Sequence, residues 1–185
     1  MSRSDQGAQL ALIYEPRLLR SESQERFRVM RDAIVAELKP SNAIEQMWIC
    51  EIIHGEWEMQ RLREFKDLIL TSARGPALKN LLSIALNASG AADIDDLAER
   101  FFTNKGVRKK VLDKLRQYGM TEASIDAEAF RHCLDELGEI NRRLAELSSR
   151  RDKNLQLLED YRAGLARPTH RREGSAVRIR GDDGD

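Results

Sequence analysis

The sequence predicts an all-α protein: an elongated helical bundle with a long, coiled-coil-like C-terminal helix and disordered ends. Three observations lead there. Charged residues make up 34% of the chain and aromatic residues only 5%, a balance that suits helices with charged outer faces and lacks the aromatic surplus of sheets. Apolar residues recur at intervals of three and four along most of the chain. Proline and glycine fall between those runs and punctuate them.

At 185 residues the chain is long enough for one domain with a core of its own. Residues 1–20 hold turn formers, Pro16 and no sustained period, and are expected to form a flexible arm. The helical domain is expected over 21–166. A first helix starts near Ser21 or Ser23, with Ser21 and Gln24 in the arrangement of a capping box. It carries Phe27, Met30, Ile34 and Leu38 on one face, and Pro40 stops it.

Asn42 with Glu45 is a second capping box, opening a helix expected to reach about Ala73, where Gly75-Pro76 interrupts the pattern. Its apolar face is expected to run through Ile44, Trp48, Ile52, Met59 and Leu62. Trp57, Ile49 and Ile53 project elsewhere, and a helix apolar on several sides is covered on several sides. This is therefore the expected central helix. Shorter helices follow at 77–86, 93–102 and 107–118. Thr121 starts what is expected to be the longest helix, reaching about Leu165 with a seam from Phe130 and Leu134 through Leu137, Leu147 and Leu158 that Arg151 interrupts. A rod of that length, about 65 Å, needs a long partner helix or a second copy of the chain. The tail, 167–185, has too few apolar residues to offset the entropy of ordering it and is expected to be disordered.

One stretch raises a chemical question. In "CEIIHGEWE", Glu51, His54 and Glu58 lie within about 60° of each other on a helix, as two carboxylates and an imidazole in a metal site would. A di-iron site needs a second Glu-x-x-His, and Glu128 with His132 has the wrong spacing. A zinc set of Cys50, His54, His132 and Cys133 fails because adjacent His132 and Cys133 point about 100° apart. The incomplete ligand set favours a half-buried histidine held by neighbouring carboxylates, and no cofactor is expected.

A second stretch concerns nucleic acid. Lys105, Arg108, Lys109, Lys110, Lys114 and Arg116 crowd a short helix opposed only by Asp113, while Val107, Val111, Leu112 and Leu115 give it a buried face. With the helix before it and Gly106 in the turn, residues 93–118 resemble a helix-turn-helix whose cations contact phosphates. Phe102 and Lys105 depart from the motif's small and apolar positions. The 31 basic and 31 acidic residues cancel, so no global field favours DNA. No phosphate loop or nucleophile motif appears, and an ordinary hydrolase is not expected.

Two cysteines without a disulfide framework suit a reducing compartment. The apolar run Leu10 to Tyr14 is too short for a signal peptide, and nothing approaches the ~18 apolar residues of a membrane span. A cytoplasmic protein is expected, with no membrane contact. "LKPSNAIEQMWICEIIHGEWEMQRLR" (38–63) and "LGEINRRLAELSSRRDKNLQLLEDYR" (137–162) together resemble a group of small helical bacterial proteins. The resemblance covers two of the helices, carries no catalytic motif and implies a shared helical scaffold. The expected role is a non-catalytic scaffold or interaction protein that self-associates through the long C-terminal helix or binds another helical protein. The alternative is a DNA-associated regulatory protein using residues 93–118.

Overall fold

The computed structural model describes residues 17–86 and 91–166, and every regular element among them is a helix. In chain order these are α1 (Gln24–Leu38), α2 (Ala43–Ala85), α3 (Ala91–Phe101), α4 (Lys105–Arg116), α5 (Glu122–His132) and α6 (Leu134–Ala166). The expected tail and most of the expected arm lie outside the described residues. From Leu18 onward the arm is fastened: Leu18 packs on the core, and the Leu19 amide donates to the Glu22 carboxylate at 2.6 Å.

Local chemistry sets most of the helix ends. Ser23, rather than Ser21, caps α1, its hydroxyl accepting from the Arg26 amide at 3.2 Å. Lys39 closes α1 in the left-handed region, at φ 43°, ahead of Pro40. Asn42 caps α2 by accepting from the amides of Ile44 and Glu45. Glu45 reaches back to Ser41 instead of to the Asn42 backbone N–H, taking the Ser41 N–H at 3.0 Å and its hydroxyl at 2.9 Å, with the Asn42 side-chain amide donating at 3.3 Å. Asn104 caps α4 and Thr121 caps α5, the latter in a reciprocal box with Ser124.

Two expected boundaries are corrected. α2 does not stop at Ala73; it runs 43 residues through Pro76. The missing proline N–H orphans the Ser72 carbonyl, but Ser72 and Pro76 face solvent, where water can satisfy it. On the opposite side Ala73, Ala77, Leu78, Leu81 and Leu82 form one buried face, whose burial outweighs the local cost. Pro76→Ala restores the bond and is expected to raise stability by roughly 1–2 kcal/mol, after allowing for the entropy proline removes from the unfolded chain. A urea unfolding midpoint checks this, and an unchanged or lower midpoint contradicts it.

The second correction is at Cys133, where the expected single C-terminal helix divides into α5 and α6. Cys133 has φ −111° and ψ 18°, and its amide bonds to Phe130 three residues back. The buried residues there are Ile125, Ala129, Cys133 and Leu137, whereas Phe130, Leu134 and Leu165 of the expected seam are exposed. The break lets α5 pack on α2 between Ile69 and Asn80 while α6 continues along α2 toward Glu45.

α2, about 64 Å long at ~1.5 Å per residue, is the spine. Its C-terminal half, with α3, α4, α5 and the start of α6, encloses one core around Leu78, Leu82, Phe101, Leu115 and Ile125. Its N-terminal half, with α1 and the end of α6, encloses another around Phe27, Ile49, Ile53, Trp57 and Leu158. α6 runs antiparallel to α2: Arg162 meets Glu45, Arg150 meets Glu51, Arg143 meets Glu58 and Asn141 meets Lys66. The long partner that α6 required is therefore α2 of the same chain. The buried face of α2 is broader than expected. Ile52 and Met59 of that face are buried as expected, but Ile49 and Ile53 beside it are fully buried too, in the core shared with Phe27 of α1, whereas Ile44 is exposed.

Candidate functional site

The Glu51–His54–Glu58 stripe stands on one side of α2, at the edge of a cleft of about 60 Å³ completed by Leu147, Arg150 and Arg151 of α6. α6 supplies a guanidinium for each carboxylate. Arg150 Nη2 lies 2.5 Å from Glu51 Oε2, and Arg143 Nη2 lies 3.5 Å from Glu58 Oε1. Between them Arg151 Nη1 is 3.3 Å from Glu56 Oε2. His54 is half-buried, its imidazole 3.9 Å from Cys50 Sγ rather than on either carboxylate. Burial pushes the Cys50 thiol up, and the charge of Glu51 adds to the effect. A cation entering here would meet two arginines already bound to the carboxylates it needs. Among the described residues no group of three or more His, Cys, Asp and Glu is placed to hold a metal ion.

The other ligands weighed from sequence lie elsewhere. Cys133 Sγ sits 4.0 Å from the Ile69 carbonyl, nineteen residues along α2 from Cys50 and so about 28 Å away. His132 Nε2 is 3.1 Å from Glu128 Oε1. Glu128 also takes Arg131 at 2.6 Å and the amide of Asn80. The Arg131 hydrogen bond, helped by Asn80 and opposed by desolvation, lowers the Glu128 carboxyl to about 2. The four candidate zinc ligands are thus divided between the two halves of the bundle.

The basic candidates stand together on α4. Val107, Val111 and Leu115 are buried, and Lys105, Arg108, Lys109, Lys110 and Arg116 face outward with Lys114 half-buried beside them. Lys105, Arg108, Lys109, Leu112 and Arg116 line an open hollow of about 200 Å³. Two of the arginines are engaged. Arg108 is 2.6 Å from Glu122, whose carboxyl it holds below its usual value by hydrogen bonding against the cost of burial. Arg116 is 2.8 Å from Asp113. Lys114 lies over the Tyr118 ring. Lys105, Lys109 and Lys110 have no ion pair among the described residues.

The helix-turn-helix pattern needs one correction: Gly106 is inside the first turn of α4, and the turn itself is Phe102–Asn104. Bulky Phe102 is tolerated because it points outward, edge-on to buried Phe101 and beneath Arg74.

Sequence reasoning missed the arginine partners on α6. A signal was present: Arg143 and Arg150 are seven residues apart, as are Glu51 and Glu58, so each pair shares a helix face two turns long. No helix among the described residues is long and apolar enough to cross a membrane. Compared with known proteins, the chain matches no family model, no curated protein and no solved structure.

Proposed function

We propose that this chain is a non-catalytic helical scaffold or interaction protein that self-associates, through coiled-coil-like contacts between long helices, in a reducing, cytoplasmic setting. One observation carries the reading. The polar groups that a catalytic or metal site would use are tied between α2 and α6, while large apolar side chains stand outward along α2. Groups held in ion pairs hold helices in place, and exposed apolar side chains on a rigid rod are what a second helix recognises. Two buried thiols suit a compartment in which cysteines stay reduced. Light scattering tests the reading: the expected mass is a multiple of 21.2 kDa, and a monomer at every soluble concentration overturns it.

A second reading, contact with nucleic acid, is favoured by Lys105, Lys109 and Lys110 of α4, which have no carboxylate partner among the described residues. In a gel shift at ~50 mM salt, a condition generous to phosphate contacts, the Lys109→Glu, Lys110→Glu double variant is expected to abolish binding. It would leave the fold intact, since both residues face solvent. No shift with the natural chain, or an undiminished one with the variant, removes this reading.

A further inference from the structure

We infer that two copies of the chain pair antiparallel along one open seam of α2, residues 44–68, about a two-fold axis beside Glu56. The inference rests on the self-association proposed above and locates it.

α1 covers one flank of α2 and α6 another, and between them runs a strip whose apolar ends stand open while its charged middle borders the α6 cleft and Glu22. Along it Ile44, Met47, Glu51, His54, Glu58, Arg61, Phe65 and Leu68 follow one another at alternating steps of three and four. That is the spacing of a seam that meets a second helix. Its four apolar members, two at each end, are between 37% and 68% exposed, although each is large. The charged members occupy the middle.

When two helices carrying such a seam pair antiparallel, each first position faces the partner's last, and so on inward. Ile44 then meets the partner's Leu68, and Met47 meets the partner's Phe65. Glu51 meets the partner's Arg61, and His54 meets the partner's Glu58. Every pair is apolar with apolar or acid with base, and two-fold symmetry makes each occur twice. Other registers do not share this property. A parallel, in-register pairing sets Glu51 on the partner's Glu51 and Glu58 on the partner's Glu58. Moving the antiparallel register by seven residues sets Ile44 on the partner's Arg61. The apolar ends thus supply burial while the charged centre selects direction and register.

The seam charges also have partners within the chain: Arg61 holds Glu22 through Nε and Nη2, Glu51 takes Arg150 and Glu58 takes Arg143. Both carboxylates still meet solvent, and Arg61 Nη1 is not used by Glu22, so each retains a donor or acceptor for a second copy.

The test is cross-linking of a Met47→Cys, Phe65→Cys double variant under mild oxidation. A disulfide needs Cα atoms within about 7 Å, and only the inferred pairing brings residue 47 to the partner's residue 65. The expected result is a disulfide-linked dimer from the double variant. Neither single variant nor the natural chain should form one, because like-numbered positions lie about 27 Å apart in this register.

Cross-linking of Met47→Cys alone signals parallel pairing and overturns the inference. A dimer by light scattering that does not cross-link also overturns it, while leaving self-association standing. A monomeric natural chain, including one whose seam is covered by its own first sixteen residues, removes both. Independently, Leu68→Glu is expected to weaken association at least tenfold with helicity unchanged, since Leu68 is exposed and belongs to neither core among the described residues; undiminished association overturns the seam.

Discussion

Trp57→Ala is expected to lower the unfolding free energy by about 3–5 kcal/mol, the range for removing a large buried aromatic side chain. Trp57 is 5% exposed, in the core where α1 crosses α2, with the Phe27 ring edge-on at 5.4 Å between centroids. Ile49, Ile53 and Leu158 complete that core. Removing the indole leaves a void that three helices meeting at fixed angles cannot close, so both transfer and packing terms are lost.

The melting temperature should fall by on the order of 10 °C. Trp57→Phe separates shape from polarity. The indole Nε1 is buried without a hydrogen bond of good geometry, although it lies near enough to Glu22 to help hold that carboxyl low. Phenylalanine keeps most of the ring contact and surrenders little hydrogen bonding, so it should recover more than half of the loss. A change below about 1 kcal/mol for Trp57→Ala would mean that this end of α2 is not packed as described.

The same tryptophan marks how far sequence reasoning reaches. That α2 is covered on several sides was legible, because Trp48 and Trp57 cannot share a face nine residues apart. The structure resolves them onto α6, through Tyr161, and α1, through Phe27. The helix starts at Asn42 and Thr121 were legible because capping is a local property of a few residues, whereas the cap at Asn104 was not read, that helix being expected only from 107.

Boundaries set by competition were not legible. Pro76 obeys a local rule that argues for a stop, and only the tertiary face formed by Ala73, Ala77 and Leu78 overrules it. Cys133 is the converse: no glycine or proline marks the break, and Phe130, Leu134 and Leu137 continue the period smoothly past it. At the candidate site the stripe was placed correctly on one face. Its occupants were not, because Arg143 and Arg150 lie 85 and 99 residues away in sequence, and single-chain periodicity says nothing about which rods meet.

Arg162→Ala is expected to lower stability at neutral pH by about 2–3 kcal/mol, and the loss should fade in acid. Arg162 Nη2 donates to Glu45 Oε2 at 2.7 Å and to the Leu38 carbonyl at 2.6 Å, tying the end of α6 to the end of α1 and the start of α2. The Glu45 side chain is only 2% exposed while that of Arg162 is 39% exposed. Truncating the arginine leaves a covered carboxylate with Ser41 and the Asn42 side-chain amide as its remaining support. Breaking a fully buried pair costs about 3–5 kcal/mol; the figure is smaller here because water can follow the departing guanidinium.

The pH dependence separates this electrostatic role from lost packing. The Arg162 hydrogen bond and the Ser41 amide, against desolvation, lower the Glu45 carboxyl from 4.5 to about 2. A carboxyl whose folded pKa is depressed contributes stability that is full above pH 4.5 and disappears as the pH falls through about 2. In the variant the part of that contribution owed to Arg162 is gone while the part owed to Ser41 remains, so the difference between the two proteins should be widest above pH 4.5 and narrow as the pH falls toward about 2. Urea unfolding of both proteins across that window is the measurement. A constant deficit at every pH would show that Arg162 acts through its methylenes and the Leu38 carbonyl, with Glu45 a bystander.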